Sequence, residues 1–211
     1  MISKLIRKIL GKPSFSSKSY WESRYSAGGN SGDGSYGKLS EFKADYINGL
    51  ISKHGIQTAI EFGVGDGNQL TLINYPSFVG IDISKTIIEK CKEKFQGDSS
   101  KSFYVYDASL PVLSQKFDIS LSLDVLYHLV EEAVFVGYLK DLFKTSSKYV
   151  LVYSTNFLEN ETDHVYHREF TKYVESMFPE FKLIEITENP FYGYGQQKSR
   201  ANFYLFEKNG Q

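Results

Sequence analysis

Short apolar runs alternate along most of the chain with stretches in which apolar side chains recur every three or four residues. The runs at 58–62, 78–83, 103–106, 117–123, 149–153, 181–187 and 202–206 predict β-strands, and the longer period near 68–74, 85–95, 131–145 and 167–178 predicts helices. Ahead of the first strand, Phe42, Tyr46, Ile47, Leu50 and Ile51 fall on one helical face between residues 40 and 53, with Ser40 in position to cap it. Strand and helix take turns as far as Tyr153. Parallel neighbours need crossover connections, so the alternation implies an α/β domain with helices on both faces of a mostly parallel sheet. The last two strands have only a loop between them and are expected to pair antiparallel, or to lie as neighbours, at one edge of the sheet.

The first 39 residues break the pattern. Residues 1–12 read as a basic amphipathic helix, with Ile2, Leu5, Ile6, Ile9 and Leu10 on one face, stopped by Gly11 and Pro13. Such a helix can dock on the body of the protein or on a protein partner, or make a weak peripheral membrane contact. From Ser14 to Leu39 no period is sustained, and Ser, Gly and Tyr dominate. A solvating linker is poor in aromatics, yet Tyr20, Trp21, Tyr25 and Tyr36 lie here, which favours a loop that moves as a lid over a ligand site. The chain therefore divides into an N-terminal segment, 1–39, and a domain, 40–211.

A length of 211 residues suits one domain with a full core. The 24 Lys and Arg against 25 Asp and Glu leave a formal charge of −1. The positive field that draws proteins to nucleic-acid phosphates is therefore missing, and no nucleic-acid partner is expected. Cys91 is the one cysteine, which excludes an internal disulfide and a multi-cysteine zinc site and suits a reducing cytoplasm. No window approaches the ~20 apolar residues that span a bilayer.

Candidate chemistry gathers at the strand ends. The strand at 58–62 carries Glu61 and runs into Gly63-Val64-Gly65-Asp66-Gly67-Asn68. Open α/β sheets bind ligands at such a glycine-rich turn, where the backbone turns tightly without a Cβ clash. A dinucleotide fingerprint, G-x-G-x-x-G, would need its third glycine at position 68, which is Asn68. Glu61 beside the turn would also repel a pyrophosphate, whereas a phosphate-free sulfonium tolerates it. Asp82 ends the second strand, where a carboxylate can accept from both ribose hydroxyls, and Ile83 follows it to pack on the base. Asp107 ends the third strand and can reach an adenine amino group. Any one of these acids is ordinarily a cap or turn residue, but three at successive strand ends describe a nucleoside site.

Residues 61–67, Asp82, Asp107 and the run Phe117-Asp118-Ile119-Ser120-Leu121-Ser122-Leu123-Asp124-Val125-Leu126-Tyr127-His128-Leu129 resemble the successive motifs of class I S-adenosylmethionine-dependent methyltransferases, over about residues 40–208. The resemblance implies the Rossmann-like methyltransferase fold. Its sheet would have seven mostly parallel strands in the order 3-2-1-4-5-7-6, with strand seven antiparallel. S-adenosylmethionine is the implied cofactor. Gly63 and Gly65 would approach its methionine part, Asp82 would hold the ribose, and Asp107 the adenine end. Tyr20, Arg24, Glu61, Ile83, Ala108 and Asp124 complete the implied cofactor set. The segment from Tyr20-Trp21-Glu22-Ser23-Arg24-Tyr25 onward is similar to the N-terminal region of bacterial methyltransferases of polysaccharide and sugar modification.

Methyl transfer displaces a group in line from an already activated carbon, so the protein has to position an acceptor and take its proton. His128 is the first candidate for the base, because an imidazole with an ordinary pKa near ~6.5 is neutral at pH 7. Asp124 and Tyr127 lie beside it. The plainer alternative is a histidine packed at a helix start. Asp163-His164-Val165-Tyr166-His167-Arg168 offers a second group, with His164 and His167 at helical spacing, His167 a further catalytic candidate, and Arg168 a contact for an anionic acceptor. Two histidines among scattered carboxylates form a weak metal pattern, and no metal is expected. The fourth-strand motif lacks the Asn/Asp-Pro-Pro-aromatic run that resembles amino-methylating DNA enzymes, and Cys91 falls in a helix rather than at a strand mouth. O-methylation of a sugar, glycan or related polar metabolite is the expected reaction. A natural-product or lipid methyltransferase, and a non-catalytic nucleoside-binding scaffold, are the alternatives.

Overall fold

The computed structural model describes residues 15–107 and 109–210. The helix expected over 1–12 and the candidate contact Ala108 lie outside them. In chain order the described elements are α1 (Ser17–Ser26), α2 (Gly37–His54), β1 (Thr58–Phe62), β2 (Ser77–Asp82), α3 (Lys85–Lys94), β3 (Lys101–Val105), β4 (Phe117–Leu123), α4 (Glu132–Thr145), β5 (Ser146–Ser154), β6 (Glu159–Thr162), β7 (Val165–His167), α5 (Phe170–Met177), β8 (Phe181–Thr187) and β9 (Asn202–Lys208). Seven strands form one sheet in the order β3-β2-β1-β4-β5-β9-β8. Strand β9 runs antiparallel to β5 and β8, and the pairs from β3 to β5 are parallel. This is the expected seven-stranded Rossmann-like methyltransferase fold, its last two strands numbered higher because β6 and β7 pair separately as a small hairpin.

Central strands read as apolar runs because both faces are covered. Along β1, Ala59 packs with the α2 and α3 residues Ala44, Ile47, Leu50, Ile88 and Cys91. Ile60 and Phe62 join Phe135, Leu139, Leu142 and Phe170 from α4 and α5 on the other face. Strand alternation therefore turns Glu61 towards α2. Helix α2 buries Leu39, Lys43, Ile47 and Leu50 as one stripe. It ends at Gly55, whose left-handed φ of 61° returns its N–H to Ile51 O.

Four expectations are corrected. The segment from Ser14 to Leu39 is not loop throughout: α1 begins after Ser16, whose side chain accepts from Ser19 N. Helix α1 buries only Ser17 and Tyr25 and is held by polar contacts from Ser17 to Glu131 and from Glu22 to Thr86, so it needs no apolar stripe. Helix α2 starts at Gly37, and Ser40 sits inside its first turn, donating to Gly37 O at 2.8 Å, instead of capping it. The helix expected at 68–74 is a 3-10 turn, Gln69–Leu72. His167 belongs to β7 and His164 to the turn before it, so their helical spacing has no structural counterpart. Among the described residues no helix is long and apolar enough to cross a membrane.

Candidate active site

The carboxyl ends of β1, β2 and β4 meet at one cavity, and α1 with the loop after it forms the roof. This is the crevice where the strand order reverses between β1 and β4, the usual ligand position in open α/β sheets. Register brings the acids together. Glu61 pairs with Gly80 on one side and Leu121 on the other, so Asp82 and Asp124 project just beyond it. The turn after β1 is held by Gly63 N and Val64 N donating to Ile81 O at 2.7 and 3.0 Å. Gly63 and Gly65 have φ of 80° and 58°. A Cβ at Gly65 would lie 2.2 Å from Ser31 Oγ in the roof, and one at Gly63 would lie 2.5 Å from Val125 Cγ2. The roof is pinned to this turn: Ser31 N donates to Asp66 Oδ2 at 2.9 Å, Tyr36 OH to the same oxygen at 2.7 Å, and Asp66 N to Ser31 Oγ at 2.8 Å.

Asp82 is buried and accepts from Gly65 N at 3.1 Å and Ser84 N at 2.9 Å. Burial pushes its carboxyl up to about 6, with the backbone N–H groups of Ser84, Gly65 and Ile83 restraining the rise. Glu61 is 3% exposed, and its Oε2 has no hydrogen-bond partner among the described residues. Burial raises this carboxyl to about 8; Lys43 opposes the rise, and Asp82 and Asp124 add to it. Asp124 adopts a left-handed φ of 60°, uncommon for a residue with a Cβ. Three bonds hold it there: Lys43 Nζ at 2.6 Å on Oδ2, Tyr127 OH at 2.7 Å on Oδ1, and its own N–H to Tyr153 O at 3.0 Å.

His128 lines the same cavity. Its Nδ1 lies 3.2 Å from His164 O. A carbonyl can only accept, so the proton sits on Nδ1 and Nε2 keeps its lone pair. Burial pushes this imidazole down to about 4, the contact with His164 O resisting. The Trp21 ring stands edge-on to it at 5.0 Å.

Of the residues expected here, Glu61, Gly63, Gly65, Asp82, Ile83, Asp124 and His128 line the cavity. Tyr20, Arg24, Asp107 and His167 do not. On α1 it is Ser17, Trp21 and Tyr25, spaced one turn apart, that face the cavity. Tyr20 stacks on His164 at 4.8 Å, and Arg24 Nε donates to Asn30 O. Asp107 is exposed, and its carboxylate accepts from Ser109 N and Oγ in its own turn. The neighbouring Tyr106 lines the cavity instead and donates to Asp141 Oδ2 at 2.6 Å. His167 is buried between Thr155 Oγ1 at 2.7 Å and Glu161 Oε2 at 2.8 Å, beside Arg200. Arg168 is also buried. Its guanidinium donates to Leu129 O, Val130 O and Glu132, which leaves it unsuited to hold an anionic acceptor. Among the described residues no group of three or more His, Cys, Asp or Glu could hold a metal ion.

Lys43 and Gln69 were not anticipated; both line the cavity from beneath. A lysine on the otherwise apolar stripe of α2 was the available signal for the first.

Residues 60–151 match the methyltransferase domain family. No curated protein sequence matches the chain. Among solved structures, magnesium protoporphyrin IX methyltransferase from Synechocystis PCC 6803, crystallised with S-adenosylmethionine, is 15% identical, with 94% of this chain and 100% of that one covered and a TM-score of 0.66. The N-methyltransferase NodS from Bradyrhizobium japonicum WM9, crystallised with S-adenosylhomocysteine, is 15% identical over 82% of this chain and 88% of its own, with a TM-score of 0.64. The small RNA methyltransferase HEN1 is 19% identical over 84% of this chain and 26% of its own, with a TM-score of 0.62. At these identities the structures share the fold. The family match and the fold together support a methyltransferase dependent on S-adenosylmethionine.

Proposed function

We propose that the chain is an S-adenosylmethionine-dependent methyltransferase that methylates an oxygen of a small polar acceptor, a sugar or glycan in particular. The observation that carries the cofactor reading is the buried acidic floor beside the glycine turn: Glu61 has an oxygen without a hydrogen-bond partner among the described residues, where an incoming donor would fit. Asp82 would hold the ribose hydroxyls, Ile83 and Tyr106 would flank the base, and the backbone at Gly63 and Gly65 would lie along the amino-acid part. When bound, this cofactor supplies a methyl carbon activated by a positively charged sulfur. His128 takes the acceptor proton on Nε2, its tautomer held by His164 O and its neutral form favoured by burial. The roof from Ser17 to Tyr36 excludes water from the transfer.

A small acceptor is favoured over a nucleic acid because the net charge is −1 and Lys43 is the one Lys or Arg lining the cavity among the described residues. Trp21, Leu129 and Val134 wall the side near His128. An apolar wall suits the C–H face of a sugar and also suits an aromatic or lipid acceptor, which is the second reading. The test is calorimetric titration with S-adenosylhomocysteine, followed by labelled S-adenosylmethionine against sugars, nucleotide sugars, phenols and lipids. Binding with transfer to a hydroxyl of a sugar is the expected result. Failure to bind overturns the cofactor reading, and transfer only to apolar acceptors or to RNA overturns the acceptor reading.

A further inference from the structure

The polar end of the cavity holds a set of unused hydrogen-bonding groups of both signs. Lys43 is 1% exposed, and Asp124 Oδ2 is the one partner of its Nζ among the described residues. An ammonium carries three donors, so two remain. Facing it from β1 is Glu61, whose Oε2 has no partner among the described residues. Gln69, 5% exposed, donates through Nε2 to Ser40 O, and its Oε1 has no partner among the described residues. All three line the same cavity. Buried polar groups without partners are costly. Free donors on one side and free acceptors on the other are the complement of a zwitterion, with an anionic group for Lys43 and an ammonium for Glu61 and Gln69.

We infer that Lys43 is a specificity-determining residue, receiving the carboxylate of the amino-acid part of the ligand and so selecting a complete adenosyl amino acid over a truncated nucleoside. This rests on the cofactor reading above. It adds a role beyond pairing with Asp124: a lysine serving that carboxylate alone would weaken all ligands alike when removed. Geometry favours the double role. Lys43 lies on the buried stripe of α2 and lines the same cavity as Gly63 and Gly65, and no other lysine or arginine lines it among the described residues.

The experiment compares S-adenosylhomocysteine with 5′-methylthioadenosine, which has the same nucleoside and thioether but neither carboxylate nor ammonium. Both are titrated into the full chain by calorimetry, with Trp21 fluorescence as a second readout. The wild type should prefer S-adenosylhomocysteine. Lys43→Met should weaken it about tenfold to hundredfold, the range of a lost charge-assisted hydrogen bond, while 5′-methylthioadenosine changes less than about threefold. Lys43→Arg should retain the preference. Because Lys43→Met leaves Asp124 unpaired, the double variant Lys43→Met with Asp124→Asn removes both charges and guards against misfolding; the preference should collapse there too. Equal weakening of both ligands, or a preference that survives in the methionine variants, overturns the inference while leaving the cofactor reading intact. A wild type that binds neither ligand fails the cofactor reading and takes this inference with it.

Discussion

Replacing Glu61 with glutamine tests whether the cavity floor is as dry as its geometry implies. The carboxyl is raised from an ordinary 4.5 to about 8, chiefly by burial. Between those values the unfolded chain has released its proton and the folded chain still holds one, so the folded state binds more protons and stability falls as pH rises. This contribution is fully present below pH 4.5 and lost as pH passes 8. Each pH unit within the window is worth about 1.4 kcal/mol, so the whole window amounts to at most roughly 5 kcal/mol, a large share of the ~5–15 kcal/mol that holds a domain together. Asp82, raised to about 6, loses its share lower in the scale. The range from pH 6.5 to 9 therefore isolates Glu61. Over it the ligand-free wild type should lose about 2 kcal/mol relative to Glu61→Gln, read as the difference between their urea unfolding free energies at each pH. The amide changes local hydrogen bonding by an amount independent of pH, so only the slope of the difference matters. Two parallel curves would mean that Glu61 ionises freely, that water reaches it, and that its unpartnered oxygen is no signature of a ligand.

Four further outcomes follow from the same geometry. His128→Gln should lower the transfer rate about 10²- to 10⁴-fold with S-adenosylhomocysteine affinity unchanged. In the wild type, whose His128 is held down to about 4, the acid limb of kcat should fall near pH 4; a limb near 6.5 would contradict a buried neutral base. Ser26 Oγ lies 3.3 Å from Thr86 Oγ1, so the pair Ser26→Cys with Thr86→Cys should form a disulfide that fixes α1 to α3. The oxidised form should exchange S-adenosylhomocysteine at least about tenfold more slowly than the form reduced with dithiothreitol, and equal exchange rates would show that the roof is no gate. Gly65→Ala must hold a left-handed φ at about 1–2 kcal/mol and pushes its Cβ into Ser31. It should lower the melting temperature and weaken S-adenosylhomocysteine, whereas unchanged affinity would separate the roof from the ligand.

Which of these features could be read from the residue order depends on whether a feature is local. The parallel sheet was legible because its central strands, buried on both faces, are continuous apolar runs. The glycine turn, Asp82, Ile83, Asp124 and His128 were legible because each follows directly from a strand end. Helix α1 was not, since Ser17 finds Glu131 across 114 positions and no apolar period announces it. Without a period its phase was also unreadable, so Tyr20 and Arg24 were expected where Trp21 and Tyr25 stand. The hairpin of β6 and β7 buries only His167, which leaves nothing for a hydrophobic pattern to mark. Asp107 stands outside the cavity for the opposite reason: a short acidic side chain next to a free N–H satisfies itself locally, and Ser109 stands two residues on.

Lys43 is the instructive omission, because its signal was present and unused. The stripe Leu39, Lys43, Ile47 places a charge where helix α2 should bury an apolar group, and Glu61 places another where β1 should be apolar. A lone buried charge is prohibitively costly, so each needs a partner of opposite sign or a polar ligand close by. The two elements are consecutive, and helix stripe and strand alternation direct both side chains to the layer between them. Yet in the fold they form no ion pair: Lys43 turns to Asp124, while Glu61, raised to about 8 by burial, has one oxygen without a partner among the described residues. A charge pair kept for stability alone would close that gap. Its remaining open is the physical reason to regard the floor of this cavity as built for a ligand carrying both an ammonium and a carboxylate.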